Sequence, residues 1–373
     1  MSKIYKAIGL MSGTSLDGVD AAVLETDGRY IHTFGKTCFR PYNKQEKKIL
    51  GAATQDALKW GCRGAKPNSL KQAEAIVDNA HIDAIEKLGV RDIDLIGYHG
   101  QTVLHKAPNG EIKGNTLQLG NGQVLADYFG IDVVYDFRSA DVNAGGQGAP
   151  FAPIYHKALL MGGGAKLPAA ILNIGGVSNI TILTKQGELL ASDCGPGNGP
   201  LDTWVQKCGI GEYDDGGRLA MQGKADFVLI DKWLERGFFT KPVPKSADRW
   251  DFDVLEDLRE FSPQDGAMSL ASFTVLAIKR TLGQYDIPLE KVIVGGGGRH
   301  NEVLLWLLRV HTGIEVRTAE DVGWKGDDLE SQAFAYLAVR SFRSLPLSFP
   351  TTTGVAKPQK GGSLASPFGQ SYG

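Results

Sequence analysis

The segment Gly9-Leu10-Met11-Ser12-Gly13-Thr14-Ser15-Leu16-Asp17-Gly18-Val19-Asp20 decides the fold. One apolar run, 5–11, leads into it and another, 19–24, leaves it, which predicts strand, tight polar turn, strand. The glycines let backbone N–H groups converge on an anion, and the hydroxyls add further donors. Because Asp17 would repel a phosphate unless a cation lay between them, the turn predicts a polyphosphate site with Mg²⁺. An ordinary hairpin with a glycine-containing loop is the alternative interpretation.

The same pattern recurs later in the chain. Residues 169–174 and 180–183 read as strands around a tight polar turn, 175–179. A third glycine site, 295–298, follows a strand and precedes a helix over 302–310. Two hairpin turns in separate halves and a late strand–glycine–helix turn predict a duplicated α/β architecture with a cleft between the halves.

The composition is that of an ordinary globular protein, and its length favours two domains. The net charge of −2, without a basic block, argues against a nucleic-acid or membrane-surface partner. The four cysteines show neither C-x-x-C spacing nor a histidine at metal-site spacing, which indicates a reduced, cytoplasmic protein. Apolar runs are of strand length, and no secretion signal is recognisable, so no membrane span is expected.

The first half of the chain alternates between strands and helices. Residues 45–71 read as polar and irregular, and the apolar spacing over 68–88 predicts an amphipathic helix ending at Gly89. A buried-type strand, 93–97, leads into Tyr98-His99-Gly100-Gln101-Thr102. Polar residues just past the carboxyl end of a strand lie where open α/β sheets bind ligands.

A strand–helix–strand segment follows, over 116–119, 122–129 and 132–135. It opens into a glycine-rich stretch in which 143–150 encodes no regular element and is predicted to cross between the domains. A strand over 188–191 precedes Asp193, and a long helix is predicted over 327–344.

Neither common nucleotide fingerprint is present. The chain lacks G-x-x-x-x-G-K-[ST], and residues 295–300 fail G-x-G-x-x-G because His300 takes the third glycine position. A bound nucleotide would therefore take its phosphate donors from the hairpin loops rather than from one loop that opens a helix. The glycine turn at 295–298 would offer a flat surface for base and ribose, and a compact strand-to-helix turn is its alternative interpretation.

Seven motifs occur in order along the chain. They are Met11 to Asp20, His99-Gly100-Gln101-Thr102, Asp136-Phe137-Arg138 with Asp141, Gly145-Gly146-Gln147-Gly148-Ala149-Pro150, Asn173-Ile174-Gly175-Gly176, Asp193-Cys194-Gly195-Pro196-Gly197-Asn198 and Thr351-Thr352-Thr353-Gly354. Together these motifs resemble one family, the anhydro-N-acetylmuramic acid kinases. The resemblance covers about residues 5–365. It implies the sugar kinase, Hsp70 and actin superfamily, whose duplicated fold explains the repeated hairpins.

The reaction implied by the resemblance uses ATP and water. Water opens the 1,6-anhydro ring of 1,6-anhydro-N-acetylmuramic acid while O6 is phosphorylated, which gives N-acetylmuramic acid 6-phosphate during recycling of cell-wall murein. Such chemistry needs a carboxylate base near the sugar and a metal-aligned γ-phosphoryl group. Two alternatives stay open: a kinase for a different amino sugar, and a non-catalytic, nucleotide-switched module of the actin or Hsp70 type.

Asp141 is the predicted catalytic base. It follows a strand end, precedes the glycine-rich loop, and resembles the family's catalytic aspartate; a capping or loop aspartate is the alternative. Asp136 is the rival, but its spacing to Arg138 favours a salt-bridge anchor. Asp17 and Asp193, from the two halves, are predicted to hold Mg²⁺ through water. For Asp193 the alternative is an aspartate that fixes a Gly-Pro turn.

The sugar site is predicted beside His99, read as a hydrogen-bonding wall, although a satisfied core histidine is the alternative. Glu330 would open the final helix, where a carboxylate is favoured anyway, and the family resemblance places it facing the substrate. The predicted substrate residues are His99, Gln101, Thr102, Gly146, Gln147 and Glu330. Cys194 is interpreted as structural.

One loop departs from the family pattern. After Lys245 the family carries Ser-Thr-Gly-Arg-Glu, whereas here Ala247 and Asp248 replace Thr and Gly, and Trp250 replaces Glu. The departure leaves the role of this loop open.

The sequence therefore predicts a duplicated ribonuclease H-like (actin/sugar-kinase type) two-domain α/β fold with an interdomain cleft. Domain I would comprise 1–135 and 345–373, and domain II would comprise 136–344. The partners would be ATP and a small sugar, and a homodimer stays open. The predicted nucleotide-binding residues are Gly13, Thr14, Ser15, Leu16, Asp17, Gly18, Val19, Asp20, Asn173, Gly175, Gly176, Ser178, Asn179, Gly295, Gly296, Gly297 and Gly298.

Overall fold

The opening hairpin forms as predicted, with two strands joined by the turn at Gly13–Asp17. The computed structural model describes residues 3–108, 113–247 and 249–369. These fall into two units, the first comprising residues up to Gly162 and from Asp328 onward, the second Gly163–Asp327.

Unit 1 begins with a mixed run of strands and helices. Its elements up to Gly162 are β1 (Tyr5–Ser12), β2 (Gly18–Thr26), β3 (Ile31–Pro41), α1 (Lys44–Trp60), α2 (Asn68–Leu88), β4 (Leu95–Lys106), β5 (Asn115–Leu119), α3 (Gly122–Phe129), β6 (Val133–Tyr135), α4 (Ser139–Asn143) and α5 (Pro153–Gly162).

Unit 2 has the same alternation, and the chain then returns to unit 1. The elements of unit 2 are β7 (Ala169–Ile174), β8 (Val177–Leu183), β9 (Leu189–Pro196), α6 (Gly199–Lys207), α7 (Phe227–Leu234), α8 (Gly237–Thr240), α9 (Pro263–Tyr285), β10 (Lys291–Gly295), α10 (Glu302–Thr312) and β11 (Glu315–Thr318). The return comprises α11 (Leu329–Phe342), α12 (Pro350–Thr353) and β12 (Ser363–Ala365).

The two sheets share one strand order. In unit 1 the order is β3-β2-β1-β4-β6, extended by β12, and β5 pairs with β4. In unit 2 it is β9-β8-β7-β10-β11. In each sheet the first three strands of this order run antiparallel to their neighbours. The next two strands run parallel to the third, so β4 and β6 are parallel to β1, and β10 and β11 are parallel to β7. This repeated order is the duplicated ribonuclease H-like α/β fold, so the predicted fold class is confirmed.

Each unit buries its own apolar core. In unit 1, Ile8 and Leu10 of β1 pack with Val77 and Ile85 of α2. In unit 2, Leu172 of β7 joins a cluster to which α9, α10 and the segment 252–258 contribute. Separate cores are what independent folding units require.

The final long helix belongs to unit 1 because two glycines let it lie directly on the sheet. Gly9 of β1 pairs with Gly97 of β4. A Cβ on Gly9 would lie 1.9 Å from the Ser331 carbonyl oxygen, and one on Gly97 would lie 2.2 Å from that of Phe334. The segments 136–162 and 328–344, which the sequence assigns to domain II, therefore pack in unit 1, and the boundaries fall at Gly163 and Asp327. The loop 143–150 does not cross between units.

The prediction of an irregular stretch over 45–71 is wrong for most of its length, because α1 occupies Lys44–Trp60. Asn43 accepts hydrogen bonds from the backbone of Gln45 and Glu46, and the Glu46 side chain accepts from Asn43, which is a capping box. The buried residues of the helix include two alanines, Ala53 and Ala57, so the apolar spacing is faint in sequence.

Three strand limits also differ from prediction. β4 continues to Lys106, so the motif 99–102 lies within a strand, paired on one side by β5. β9 extends to Pro196, which places Asp193 inside the strand opposite Asn179. β8 begins at Val177, which reduces the second hairpin turn to Gly175 and Gly176. The predicted helix over 68–88 is confirmed.

Candidate active site

The first hairpin loop is held from behind by a buried glutamine. Ser12 Oγ donates to Gln101 Oε1 at 2.5 Å, and Gln101 Nε2 donates to the Gly13 carbonyl at 3.1 Å. Gln101 and Ser12 are buried, whereas Thr14 and Ser15 are exposed. The amide of Gln101, predicted to bind substrate, thus supports the loop, and the hydroxyls at the tip remain available to a ligand.

The same loop has a fixed backbone shape. Leu16 adopts a left-handed conformation at φ +58°, and its N–H donates to the Gly13 carbonyl at 3.2 Å. The Asp17 carbonyl accepts from Tyr42 N–H at 2.9 Å. The Asp17 carboxylate lies 3.7 Å from Lys47 Nζ, and both side chains are exposed. An exposed pair of this kind contributes little, so the carboxylate can take another cation.

The second hairpin turn is braced by the motif that follows β9. Asn198 N–H donates to the Gly175 carbonyl at 2.7 Å, and Gly197 N–H to the Gly176 carbonyl at 3.1 Å. Ser178, predicted to bind nucleotide, is buried and donates its hydroxyl to the Pro196 carbonyl at 2.9 Å. Its hydroxyl therefore holds the brace.

The third glycine turn packs against the second within unit 2. A Cβ on Gly296 would lie 2.4 Å from Asn173 Oδ1, and one on Gly298 would lie 2.5 Å from Ile174 Cγ2. The buried Arg299 donates to the Gly296 carbonyl at 3.0 Å and to Glu320 at 2.9 Å, which fixes the turn. The structure thus brings 173–176, 197–198 and 295–298 together in unit 2.

His99 is buried, and both of its ring nitrogens have protein partners. Nδ1 lies 2.9 Å from the Gly100 carbonyl, and Nε2 accepts from Arg138 Nε at 3.0 Å. Since Nε2 accepts, the proton sits on Nδ1. Burial holds the pKa of His99 well below its ordinary value, and Arg138 lowers it further, so the ring is neutral. His99 thereby orients Arg138. The His99 ring also packs at a tilt against the Phe334 ring, with the centroids 4.5 Å apart.

Arg138 connects the parts of the predicted sugar site. Besides His99, its guanidinium donates to the Gly148 carbonyl at 2.7 Å. Burial lowers the pKa of Arg138 to about 10, while the nearby carboxylates of Glu330 and Asp141 act to raise it. Burial raises the pKa of Glu330, and Arg138 opposes that shift. His99 and the Gly148 carbonyl therefore meet at one arginine in unit 1, and Glu330 lies near enough to influence the pKa of that arginine.

Asp141 lies in the short helix α4 and is buried. Its Oδ1 accepts from Thr353 Oγ1 at 2.7 Å and from Ser348 Oγ, and its Oδ2 accepts from Gly148 N–H at 2.7 Å. A Cβ on Gly146 would lie 2.3 Å from Oδ2. The carboxylate thus joins α4, the glycine-rich loop and the segment 348–353. Nothing in the sequence pointed to Ser348, whereas the motif 351–354 was a signal for Thr353.

The interpretation of Asp136 as a salt-bridge partner of Arg138 is wrong. Asp136 Oδ1 accepts from the Ser139 hydroxyl at 2.6 Å, while Arg138 turns to His99 and Gly148. Asp136 also lines a cavity of about 180 Å³ in unit 1, together with Tyr98, His99 and Gln118. That volume suits part of a sugar rather than a whole nucleotide.

Asp193 lies in unit 2, inside strand β9. Its Oδ2 accepts from Ala247 N–H at 2.8 Å. Burial raises the pKa of Asp193 to about 7, and the Ala247 N–H opposes that rise. A carboxyl group with a pKa near neutrality is suited to accept and release a proton at physiological pH. Asp248 lies outside the described residues, and so do the side chains of residues 249 and 250.

Comparison with known proteins identifies the family. The family model for anhydro-N-acetylmuramic acid kinase matches residues 5–367. The chain belongs to this family. The anhydro-N-acetylmuramic acid kinase of Phenylobacterium zucineum is 44% identical over 368 residues, covering 97% of this chain and 100% of that protein. That of Nitrobacter winogradskyi is 45% identical, covering 97% and 99%. The predictions of family and of enzyme class are confirmed.

Solved structures show more distant similarity. The activator of 2-hydroxyisocaproyl-CoA dehydratase from Clostridium difficile with bound ADPNP is 12% identical, covers 91% of this chain and 96% of that chain, and has a TM-score of 0.45. The ligand-bound xylulose kinase from Lactobacillus acidophilus is 10% identical, covers 97% and 94%, and has a TM-score of 0.44. Similarities this low add nothing to the family assignment.

In this kinase, a bound metal ion would have few protein side chains as ligands. In 3–108, 113–247 and 249–369, no group of three or more His, Cys, Asp or Glu side chains is placed to hold a metal ion. Mg²⁺ bound mainly by phosphates and water needs only one or two carboxylates, and the exposed Asp17 fits that role.

Burial raises the pKa of the Cys194 thiol, which makes it an inert core residue. Over the part of the chain that the structure describes, no helix is both long and apolar enough to cross a membrane.

Proposed function

We propose that this kinase opens the 1,6-anhydro ring of 1,6-anhydro-N-acetylmuramic acid with water and phosphorylates O6 at the expense of ATP. The product is N-acetylmuramic acid 6-phosphate, and the reaction serves murein recycling in the cytoplasm. The observation that carries the proposal is the family match over residues 5–367. The hydrogen bonds of Arg138 to His99 and Gly148, with Glu330 near enough to influence its pKa, support it.

The bonds change as follows. The oxygen of water bonds to C1, the C1–O6 bond breaks, and O6 bonds to the γ-phosphorus as ADP leaves. The water gives up a proton, so a carboxylate base is needed near C1. Mg²⁺, when bound, neutralises charge on the phosphates.

Each glycine hairpin is proposed, within its own unit, as a phosphate-binding loop. In unit 1, the exposed tip of the loop 13–18 offers hydroxyls and backbone N–H groups to phosphate oxygens. In unit 2, Gly176 is exposed and a Cβ there would meet no atom within 4 Å, which leaves room for a phosphate. The turn 295–298 is proposed to face the adenosine. Asp17 is the proposed water-mediated Mg²⁺ ligand.

The sugar is proposed to bind in unit 1, around Arg138. Glu330 and the loop residues Gly146 and Gln147 are its proposed contacts. Arg138 and Glu330 carry opposite charges close enough to influence each other's pKa, so together they suit hydroxyl or amide groups that both donate and accept.

Two carboxylates compete for the role of base. Asp141, the base predicted from sequence, already accepts three hydrogen bonds and is almost inaccessible. Asp193 accepts from Ala247, and burial brings its pKa to about 7. We therefore propose Asp193 as the proton acceptor in place of its predicted Mg²⁺ role, with Asp141 as the alternative base.

A sugar panel tests the function. Purified protein is incubated with Mg·ATP and either the 1,6-anhydro sugar, N-acetylmuramic acid or glucose, and ADP and phosphosugar are measured. The proposal expects turnover on the anhydro sugar. Turnover only on the plain sugars would instead identify a kinase for another substrate, and ATP turnover indifferent to every sugar would favour a nucleotide-switched module.

A further inference from the structure

Lys245 carries a buried ammonium group in unit 2, within the loop that departs from the family pattern. It is 4% exposed. Its Nζ donates to Gln284 Oε1 at 3.2 Å and to the Lys241 carbonyl at 3.4 Å, and it lies 4.8 Å from the Phe238 ring centroid. These partners are uncharged, and burial lowers the pKa of Lys245. Burying an ammonium against neutral oxygens is costly, so its position needs a reason.

The backbone of Lys245 is paired to strand β9. Its N–H donates to Ser192 Oγ at 3.0 Å, and its carbonyl accepts from Asp193 N–H at 2.9 Å. The ammonium fastens the same segment to α9 through Gln284. The loop is therefore held on two sides at a single residue.

Two residues further on, the loop reaches the Asp193 side chain. Ala247 N–H donates to Asp193 Oδ2 at 2.8 Å. Because the donor is a backbone amide, any residue other than proline can supply it. The contact to Asp193 therefore does not depend on which side chain, proline apart, stands at position 247.

We infer that Lys245 is a positioning residue, which anchors the loop so that the Ala247 amide fixes the Asp193 carboxylate for the reaction. The inference rests on the proposed role of Asp193. The contribution of the loop to the reaction is then the backbone N–H of Ala247, which holds the Asp193 carboxylate.

Ala247→Pro tests the amide, because it removes the N–H without altering Asp193. Loss of a hydrogen bond to a carboxylate is expected to lower kcat by about 10–100-fold while the KM for ATP stays the same. The rate is taken per ATP-binding site, so that misfolded protein does not count. Should this variant fail to fold, Ser192→Ala loosens the same loop by removing the partner of Lys245 N–H, and the same split between kcat and KM is expected.

Lys245→Met tests the anchor, with Lys241→Met as the matched control. Each removes one charge from the same segment, but the Lys241 side chain is exposed and contributes only its carbonyl. We expect kcat to fall in Lys245→Met, to recover in part in Lys245→Arg, and to stay unchanged in Lys241→Met.

The outcomes separate this inference from the proposed function. If the wild-type protein does not phosphorylate the anhydro sugar, the proposed function fails. If the wild type is active and the folded Ala247→Pro, Ser192→Ala and Lys245→Met variants keep wild-type kcat per site, the inference is wrong. A lower melting temperature with unchanged kcat would likewise overturn it, because Lys245 would then be structural only.

Discussion

Asp141 is buried and Asp193 is partly buried, and both lie beside glycine-rich motifs, yet their surroundings differ. Asp141, in unit 1, accepts from two hydroxyls and one backbone amide and ties together three segments of chain. Asp193, in unit 2, accepts from Ala247 N–H, and burial raises its pKa to about 7. Donors stabilise a carboxylate as an anion and hold it in place, whereas burial with few donors makes it a better proton acceptor.

Asp141 and Asp193 have similar positions in the sequence motifs but are expected to differ in reactivity. Both aspartates lie in motifs of the family and both are close to loops that the sequence marks as functional. The hydrogen-bond partners distinguish them, and those partners come from distant parts of the chain. The comparison therefore predicts a rate effect at Asp193 and a stability effect at Asp141.

The largest expected effect is on the rate of Asp193→Asn. The amide cannot accept the water proton, so kcat should fall by about 10²–10⁴-fold. The KM for ATP should change little if Asp193 acts as the base. Steady-state kinetics over a range of Mg²⁺ concentrations checks this, because activity restored by high Mg²⁺ would point to the predicted metal role instead.

Asp141→Asn should mainly destabilise the fold. An amide in this site leaves at least one of the three buried donors without an acceptor, which is expected to cost about 1–3 kcal/mol of unfolding free energy. Denaturant unfolding measures the loss, and kcat per folded site should fall far less than in Asp193→Asn. A loss of about 10²–10⁴-fold in kcat with unchanged stability would restore Asp141 as the base.

A pair of glycine substitutions extends the comparison to the two loops. In Gly146→Ala the new methyl group would meet Asp141 Oδ2 at 2.3 Å, and overpacking is expected to cost about 1–3 kcal/mol. Gly176→Ala meets no atom within 4 Å, so its unfolding free energy should stay within about 0.5 kcal/mol of wild type. If Gly176 lies against phosphate, the methyl group should raise the KM for ATP. Equal stability of the two variants would contradict the packing of the Asp141 site.

The smallest effect expected is on the pH dependence. With Asp193 as base and its pKa at about 7, kcat/KM should rise with pH and reach half its plateau near pH 7. The folded pKa lies above the ordinary 3.8, so the folded state binds more protons between about pH 4 and 7, and Asp193 lowers stability as pH rises through that window. Asp193→Asn should flatten this fall in unfolding free energy. An activity profile flat between pH 6 and 8 would argue against Asp193.

Local patterns predicted much of the fold. The hairpin turns at Gly13–Asp17 and Gly175–Gly176, the helix Asn68–Leu88 and the strand–glycine–helix turn at 295–298 all follow from apolar spacing and turn residues within short windows. The helix α1 was missed because alanines form much of its buried face. The apolar spacing is therefore weak, and the many polar residues made the segment look irregular.

The site was predicted less completely because its contacts are long-range. Asp141 meets Ser348 and Thr353, which lie 207 and 212 residues away in sequence. The pairing of Arg138 with His99 rather than with Asp136, only two residues away, depends on β4 continuing past residue 97. Spacing in the sequence identified the residues of the site, but only the folded chain determines their partners.

Isotope labelling tests the central claim most directly. The protein is incubated with 1,6-anhydro-N-acetylmuramic acid and Mg·ATP in ¹⁸O-labelled water, and the product is examined by mass spectrometry and NMR. We expect the label to enter the hydroxyl at C1, and we expect none in the phosphate at O6. Label in released inorganic phosphate, with C1 unlabelled or the ring still closed, would contradict this claim.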